Sequence, residues 1–193
     1  METFAAPRPL VESPHYSRDR HDALSRLDPR SLDEPIAELI TAFNTLSCCF
    51  TLQSCYGHFI STPDQDDHNC EPVPARDCGS VRYRIAYVAF CLEDNAAGRA
   101  LHESFGQLAT RDSAYVQFGS ANWFWERHLN SYALQVEPAR FMLMDEVVLD
   151  YAEALRVQER RDLFFRDLGR LLQRMLKSHG AGERGDEPAE PRG

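Results

Sequence analysis

The stretch that decides the fold is "VRYRIAYVAFCLE", residues 81–93. Arg82 and Arg84 alternate with apolar side chains at its start, and the run becomes apolar from Ile85 to Leu92. Alternation that gives way to a continuous apolar run is typical of a strand that becomes buried on both faces. We therefore predict a β-strand here, the clearest one in the chain.

The segments around this strand show helix and strand patterns in turn. Residues 31–44, "SLDEPIAELITAFN", carry apolar side chains at the i, i+3, i+4 and i+7 spacing of an amphipathic helix. Residues 94–109 begin with Asp94 or Asn95 as a helix cap and continue with one apolar face. Three further segments have strand patterns: 48–55, 113–120 and 131–138.

The C-terminal part of the chain is predicted to be helical from Asp145 to Lys177. Within it the polar stretch "RVQERRD", residues 156–162, predicts a break between two helices. Residues 121–130, "ANWFWERHLN", fit either a strand or a helical turn. The order of elements predicts an α/β protein, with a single domain, a mixed β-sheet of about four or more strands, helices packed on it and a long C-terminal helix.

The length of 193 residues is that of one domain, with or without tails. Residues 1–30, rich in Pro, Arg, Asp and Ser, are predicted to be a flexible arm, and residues 31–179 the α/β domain. Residues 180–193 have the composition of a disordered tail. Residues 61–80 are predicted to be a loop, and a loop of that length inside a compact domain is often functional.

Composition narrows the class of protein. With 43% hydrophobic residues the chain can bury a core. Its net charge is −9, and its sequence lacks the basic cluster typical of nucleic-acid binding. No apolar run approaches the roughly 20 residues that span a bilayer. The N-terminus lacks a basic region followed by an apolar one, so we expect a cytoplasmic protein whose six cysteines are thiols or ligands.

The candidate site lies in "FTLQSCYGHF", residues 50–59, where a strand ends. Gly57 allows a tight turn and a close approach of the backbone to a ligand, because glycine has no Cβ. Cys55 and His58 beside it are candidates for a thiolate and for a general acid or base. The alternative is a small buried side chain for Cys55 and a structural hydrogen bond for His58. Two neighbours add hydroxyl groups to the candidate cofactor-binding residues: Ser54 and Tyr56.

A carboxylate at the end of the last predicted strand completes the catalytic candidates. Glu137, followed by Pro138, is expected to face the same sheet end as Cys55 and His58 and to serve as a base or a hydrogen-bond acceptor. The alternative is a solvated residue at the edge of the sheet. The prediction for the site is therefore that one thiol, one imidazole and one carboxylate converge on a single accessible hollow.

Zinc binding is a second hypothesis for the same segment. Cys55 and His58 are followed in and beside the long loop by further soft donors: His68, Cys70 and Cys78. The spacing contains no paired Cys-x-x-Cys unit, so no metal ligand is assigned from it. A third hypothesis is a protein-interaction module that presents the aromatic residues 123–125, which also fit a wall around a planar ligand or a place in the core.

Two stretches resemble one protein family. "FTLQSCYGHF" is similar to the strand-end segment of the tRNA wybutosine-synthesising protein 3 family, in which threonines lead into Ser-Ser-Cys-Ser-Gly-Arg. "ALQVEPARFML", residues 133–143, resembles that family's later strand, Phe-Glu-Pro-Phe followed by an apolar run. The order of elements agrees over residues 33–155, whereas the specific motifs cover about twenty positions.

The resemblance implies a function and roles for several residues. The family methylates a modified guanosine in phenylalanine tRNA with S-adenosylmethionine, so the resemblance implies a methyl-donor pocket at Ser54, Cys55 and Gly57 and an RNA substrate. The chain departs from the motif, because His58 replaces its arginine, Tyr56 replaces its second serine, and the later Gly-Phe-Arg-x-Ser-Gly segment is missing. We expect an S-adenosylmethionine- or nucleotide-binding, methyltransferase-like protein that acts on tRNA, with a noncatalytic zinc-binding or interaction module as the alternative.

Overall fold

A computed structural model describes residues 4–141 and 144–182 of the chain. Within them, two β-sheets and five α-helices form the α/β unit, and the predicted fold class with a long C-terminal helix is confirmed. The strands are β1 (Phe4–Ala5), β2 (Cys49–Cys55), β3 (His58–Ile60), β4 (Ser80–Arg84), β5 (Ala86–Leu92), β6 (Val116–Ala121), β7 (Ser131–Val136) and β8 (Glu146–Asp150). The helices are α1 (Tyr16–Arg26), α2 (Ala37–Thr45), α3 (Ala96–Thr110), α4 (Asn122–Trp125) and α5 (Tyr151–Gly182).

The strands are divided between two sheets, which refines the single mixed sheet that the sequence suggested. The larger sheet has the order β1-β6-β7-β5-β2 and the smaller one β3-β4-β8. Every strand pair recorded for the described residues is antiparallel. No helix among these residues is both long and apolar enough to cross a lipid bilayer.

A long bent hairpin joins the two sheets. Residues 49–60 run antiparallel to residues 80–92, with Cys55 opposite Tyr87 in the larger sheet and His58 opposite Arg84 in the smaller one. Between these pairs the ladder is interrupted, and both strands of the hairpin pass from one sheet to the other. The segment predicted as one strand, residues 81–93, therefore forms most of two strands, β4 and β5, that meet at a bend.

The main core lies on one face of the larger sheet. Phe90 of β5 stacks edge-on against Phe105 of α3, with ring centroids 4.9 Å apart, and lies 5.4 Å from Phe43 of α2. Burying large aromatic rings in this way is the main source of stabilisation for such a layer. The opposite face of the sheet is covered in part by α1, where Tyr16 packs 5.5 Å from Phe50, and two cavities lie over other parts of it.

The first 30 residues differ from the predicted flexible arm, because they contain β1 and α1. The Tyr16 hydroxyl donates to the Ser47 carbonyl at 2.9 Å, and Arg20 donates to the Asn44 carbonyl at 2.7 Å. These two side chains hold α1 against backbone carbonyls at the end of α2, a long-range contact that local composition does not reveal. Of the predicted disordered tail, residues 180–182 belong to α5, and residues 183–193 lie outside the described residues.

The helical region predicted from Asp145 to Lys177 is wrong in two respects: it begins with a strand, and it has no break at residues 156–162. Residues 146–150 form strand β8, in which Val147 and Leu149 are buried whereas Val148 is 68% exposed, the period-two pattern of a half-buried strand. Helix α5 continues without a break through residues 156–162. The polar stretch is accommodated because Arg161, only 2% exposed, donates to the Gly57 carbonyl at 2.7 Å.

Candidate functional site

The candidate site forms at the bend of the hairpin, and Gly57 makes the bend possible. Its φ of +89° lies in the left-handed region that residues with a side chain rarely adopt. A Cβ added there would lie 2.8 Å from the Cβ of Ala86, so the two backbones cross at a distance that only glycine permits. The predicted role of Gly57 in a tight turn is therefore visible directly in the backbone.

Three side chains with metal-ligating atoms meet beside this bend. One donor atom each from Asp33, Cys55 and His58 lies within 4.8 Å of the other two. The closest recorded pair is Asp33 Oδ2 and His58 Nε2, 3.5 Å apart, and the His58 side chain is 2% exposed. Two of the three were candidates from the sequence; Asp33 was not, because nothing local connects it with a strand more than 20 residues away.

Backbone groups hold these side chains in place. Nδ1 of His58 lies 2.7 Å from the Asn69 carbonyl oxygen, which can only accept, so Nδ1 carries a proton. The Tyr56 amide donates to Asp33 Oδ2 at 2.6 Å, and the Gly57 amide donates to Cys55 Sγ at 3.4 Å. Each donor atom is thus oriented by a neighbour that belongs to the bend or to the long loop.

The electrostatic environment keeps the Cys55 thiol protonated. Burial, with a smaller contribution from Asp33, raises its pKa to about 11 against the opposing effect of the Gly57 amide. A thiol with such a pKa is not a thiolate nucleophile at neutral pH. Burial also raises the pKa of the Tyr56 hydroxyl to about 12. In this state neither group is prepared for the nucleophilic role that the sequence suggested for Cys55.

A cavity of about 910 Å³ opens next to these residues, on the face of the larger sheet away from the main core. Ser54, a candidate cofactor-binding residue, lines it together with the two candidate catalytic residues Cys55 and His58. The other lining side chains include three aromatic residues, two arginines and three acids: Tyr87, Trp123, Phe124, Arg84, Arg127, Asp67, Asp145 and Glu146.

Gln135 of β7 is another lining residue that the sequence reasoning missed. It is 7% exposed, and its Oε1 atom has no hydrogen-bond partner among the described residues. A buried amide oxygen without a partner costs about 1 to 3 kcal/mol, so such an atom in a cavity wall suggests a donor on a ligand. The alternation of β7 could have indicated which face Gln135 occupies, but not that a cavity lies over that face.

Glu137 does not join the other catalytic candidates. It is 0% exposed, it is not among the residues that line the cavity, and neither of its carboxylate oxygens has a partner in the described part of the chain. Burial, with a smaller contribution from Asp145, raises its pKa to about 8. The predicted convergence of Cys55, His58 and Glu137 therefore fails at Glu137, because this side chain is buried outside the cavity wall.

The remaining candidates are distributed around the site. His68 lines the cavity, with its ring 5.8 Å from that of His58, and Cys70 lies half-buried two residues further on. Cys78 is exposed and is not a lining residue. The Tyr56 side chain is also not a lining residue; its ring stacks under the Arg161 guanidinium at 3.9 Å, and its hydroxyl donates to Asp162.

Fold and site together define an α/β protein with a ligand-sized cavity at the bend of a hairpin that links two sheets. No protein family's sequence profile and no curated protein sequence matches the chain. Among solved structures, the PH1069 protein from Pyrococcus horikoshii is similar at 13% identity and a TM-score of 0.47, covering 83% of this chain and 96% of its own. A second structure of PH1069, from Pyrococcus horikoshii OT3, covers 88% and 95% at 13% identity and a TM-score of 0.42.

Proposed function

We propose that the cavity binds the adenosine part of S-adenosylmethionine or of a nucleotide, and that the protein is methyltransferase-like and acts on RNA. The observation that carries this proposal is that Gln135, whose buried Oε1 has no hydrogen-bond partner among the described residues, lines the cavity. The motif resemblance at Ser54, Cys55 and Gly57, which names the same strand end, supports it independently.

An adenine ring suits the polar and aromatic groups that surround Gln135. A glutamine amide can pair with adenine, accepting from the exocyclic amine and donating to N7. Trp123 and Phe124 supply aromatic faces on which a purine can stack, a contact worth about 1 to 3 kcal/mol. A volume of about 910 Å³ falls in the range of roughly 300 to 1,000 Å³ typical of small-molecule sites, so the cavity can hold a ligand of this size.

The charges around the cavity suit a ligand that carries both signs. Arg84 and Arg127 can hold a carboxylate or a phosphate, whereas Asp145 and Glu146 can hold an ammonium group. S-adenosylmethionine contains a carboxylate, an ammonium and a sulfonium, and a nucleotide contains phosphates. S-adenosylmethionine would therefore use both the arginines and the acids of the wall, whereas a nucleotide would use the arginines.

When bound, S-adenosylmethionine supplies an electrophilic methyl group. Transfer of that group depends chiefly on alignment of donor and acceptor, so the chain's contribution is to orient the ligand and to exclude water. Gln135 would fix the purine, and Ser54 at the cavity wall would position a neighbouring hydroxyl. Neither an ionised Cys55 nor Glu137 is required for this role.

Ligand titration with matched variants tests the proposal. S-adenosylmethionine, its demethylated product and ATP are titrated into the full chain while its thermal unfolding is followed. A ligand at 100 times its Kd should stabilise the native state by about 2.7 kcal/mol. Gln135→Leu should abolish most of that shift, whereas Gln117→Leu, on the neighbouring strand but outside the cavity wall, should leave it unchanged.

Two outcomes would count against the proposal. If none of the three ligands shifts the unfolding of the wild-type protein at millimolar concentration, the cavity does not bind adenosine compounds. If a shift occurs but Gln135→Leu and Gln117→Leu reduce it equally, the binding site lies elsewhere. A shift with ATP alone would keep the nucleotide site and reject the methyl donor.

A further inference from the structure

We propose that Asp33, Cys55 and His58 bind a divalent transition metal ion of the zinc type at the wall of the cavity. Their donor atoms already lie within 4.8 Å of one another, on three segments that are distant in sequence or separated by the bend. This site is independent of the proposed adenosine site, because it uses none of the groups assigned to the purine.

The chemistry of the three donors selects the class of metal. A thiolate and an imidazole together favour zinc, cobalt and related transition metals, whereas magnesium and calcium prefer oxygen donors alone. Cysteine, histidine and aspartate are all regular zinc ligands. The set therefore excludes a simple acidic calcium site and points to a borderline-soft ion.

The distances come close to those of a tetrahedral site. Zinc bonds of about 2.0 to 2.3 Å place neighbouring ligand atoms roughly 3.3 to 3.8 Å apart. The separation of 3.5 Å between Asp33 Oδ2 and His58 Nε2 lies within that range. The widest separation in the set, at most 4.8 Å, closes to the same range with a side-chain movement of about 1 Å.

The orientation of His58 indicates that a cation belongs between it and Asp33. Because Nδ1 donates its proton to the Asn69 carbonyl, Nε2 of a neutral ring carries the lone pair, and it lies 3.5 Å from Asp33 Oδ2. A lone pair this close to a carboxylate oxygen in a buried place is unfavourable unless a proton or a metal ion lies between them. An imidazole held by a backbone carbonyl through its other nitrogen is the usual arrangement of a metal-bound histidine.

Cys55 decides between the proton and the metal. Its thiol lies next to the pair, where a protonated imidazole would need no third donor, whereas a metal ion would use the sulfur as a ligand. Binding breaks the S–H bond, forms a metal–sulfur bond and releases the proton to solvent. Since all three residues line the cavity, a fourth coordination position faces it and would be filled by water or by a bound molecule.

Titration with cobalt(II) and zinc(II) tests the site in the full chain after treatment with a chelator. A cobalt–thiolate bond produces charge-transfer absorption, which oxygen and nitrogen ligands do not, so the spectrum reports directly on Cys55. We expect one bound ion per chain with this absorption. Cys55→Ser should remove the absorption, and Cys55→Ser and Asp33→Asn should each weaken zinc binding by more than about 100-fold.

Matched variants make the result decisive. Cys78→Ser, at an exposed cysteine outside the cavity wall, should bind both ions like the wild-type protein. Cys70→Ser should change zinc affinity by less than a few-fold; a loss as large as that of Cys55→Ser would overturn the open fourth position. The folding of each variant is checked by circular dichroism without metal, because serine and asparagine preserve the shapes of the side chains they replace.

Either of two results overturns the proposal. One is a wild-type protein that binds neither ion at tens of micromolar free metal, which would leave a plain imidazolium–carboxylate pair. The other is cobalt binding whose spectrum and affinity are the same in folded Cys55→Ser. Both are measured without S-adenosylmethionine, so they leave the adenosine proposal to its own test.

Discussion

Replacement of Glu137 by glutamine should make the protein more stable at alkaline pH and leave it almost unchanged at acid pH. The carboxyl is 0% exposed and its oxygens lack partners in the described structure, so its charged form is strongly disfavoured. Burial raises its pKa from 4.5 to about 8. Glutamine has nearly the same shape and never ionises, so the variant isolates the cost of the charge.

The direction of the effect follows from proton binding. Below pH 4.5 the carboxyl is protonated in both the folded and the unfolded chain, and between pH 4.5 and about 8 only the folded chain keeps the proton. Because the folded state then binds more protons, stability falls as the pH rises through this range. At about 1.4 kcal/mol per pH unit, the wild-type protein should lose about 4 kcal/mol relative to Glu137→Gln between pH 5 and pH 9.

Urea unfolding at pH 5, 7 and 9 measures this difference under reducing conditions. The free energies of unfolding of the two proteins should nearly coincide at pH 5 and separate progressively by pH 9. Glu126→Gln, at an exposed position, is the control and should differ from the wild-type protein by a small constant amount. A difference for Glu137→Gln that stays constant from pH 5 to pH 9 would refute the reasoning, because it would mean that Glu137 is ionised in the folded protein.

Two further predictions concern the bend. Gly57→Ala should lower the free energy of unfolding by about 3 kcal/mol, because of backbone strain and contact with Ala86. Gly79→Ala, with a similar φ but open space around it, should lower it by about 1 to 2 kcal/mol, and equal losses would contradict the close approach at Gly57. Arg161→Met should lower the free energy of unfolding by about 3 kcal/mol, because it removes the hydrogen bond to the Gly57 carbonyl and the contact with the Tyr56 ring. Arg166→Met, at a 58% exposed position, should be nearly neutral. Urea unfolding measures both pairs of variants.

Much of the fold could be predicted because it depends on local patterns. The apolar run at residues 86–92 and the cap at Asn95, whose side chain accepts from the Gly98 amide, act within one element and leave a trace in the sequence. Strand β8 was not predicted, because its short Val-rich segment was assigned to the helix that follows it. The bend between β4 and β5 was not predicted, because an unbroken apolar run does not indicate where the chain passes from one sheet to the other.

The site divides in the same way. Cys55, Gly57 and His58 were found because they lie within four residues of one another at a strand end. Asp33 could not be found, since its place beside them is set by the packing of the segment before α2 against the bend. Glu137 was expected in the cavity from its position after a strand, but the direction in which a strand end turns is decided by the elements packed around it.

The interruption of the ladder explains why a site forms at this bend. In a continuous antiparallel ladder, alternate amides of residues 55–58 would bond to the opposite strand, and the side chains of Asp33 and Cys55 would have fewer backbone donors. Here the chain leaves one sheet before it joins the next, so these amides donate to the carboxylate and to the sulfur. The opposite strand shows the same device, because the Ile85 amide donates to the Asp145 carbonyl at the cavity wall. The bend that requires glycine at position 57 is thus the same bend that orients the proposed metal ligands. A variant that straightens it should lose the amide bonds to Asp33 and to Cys55 together.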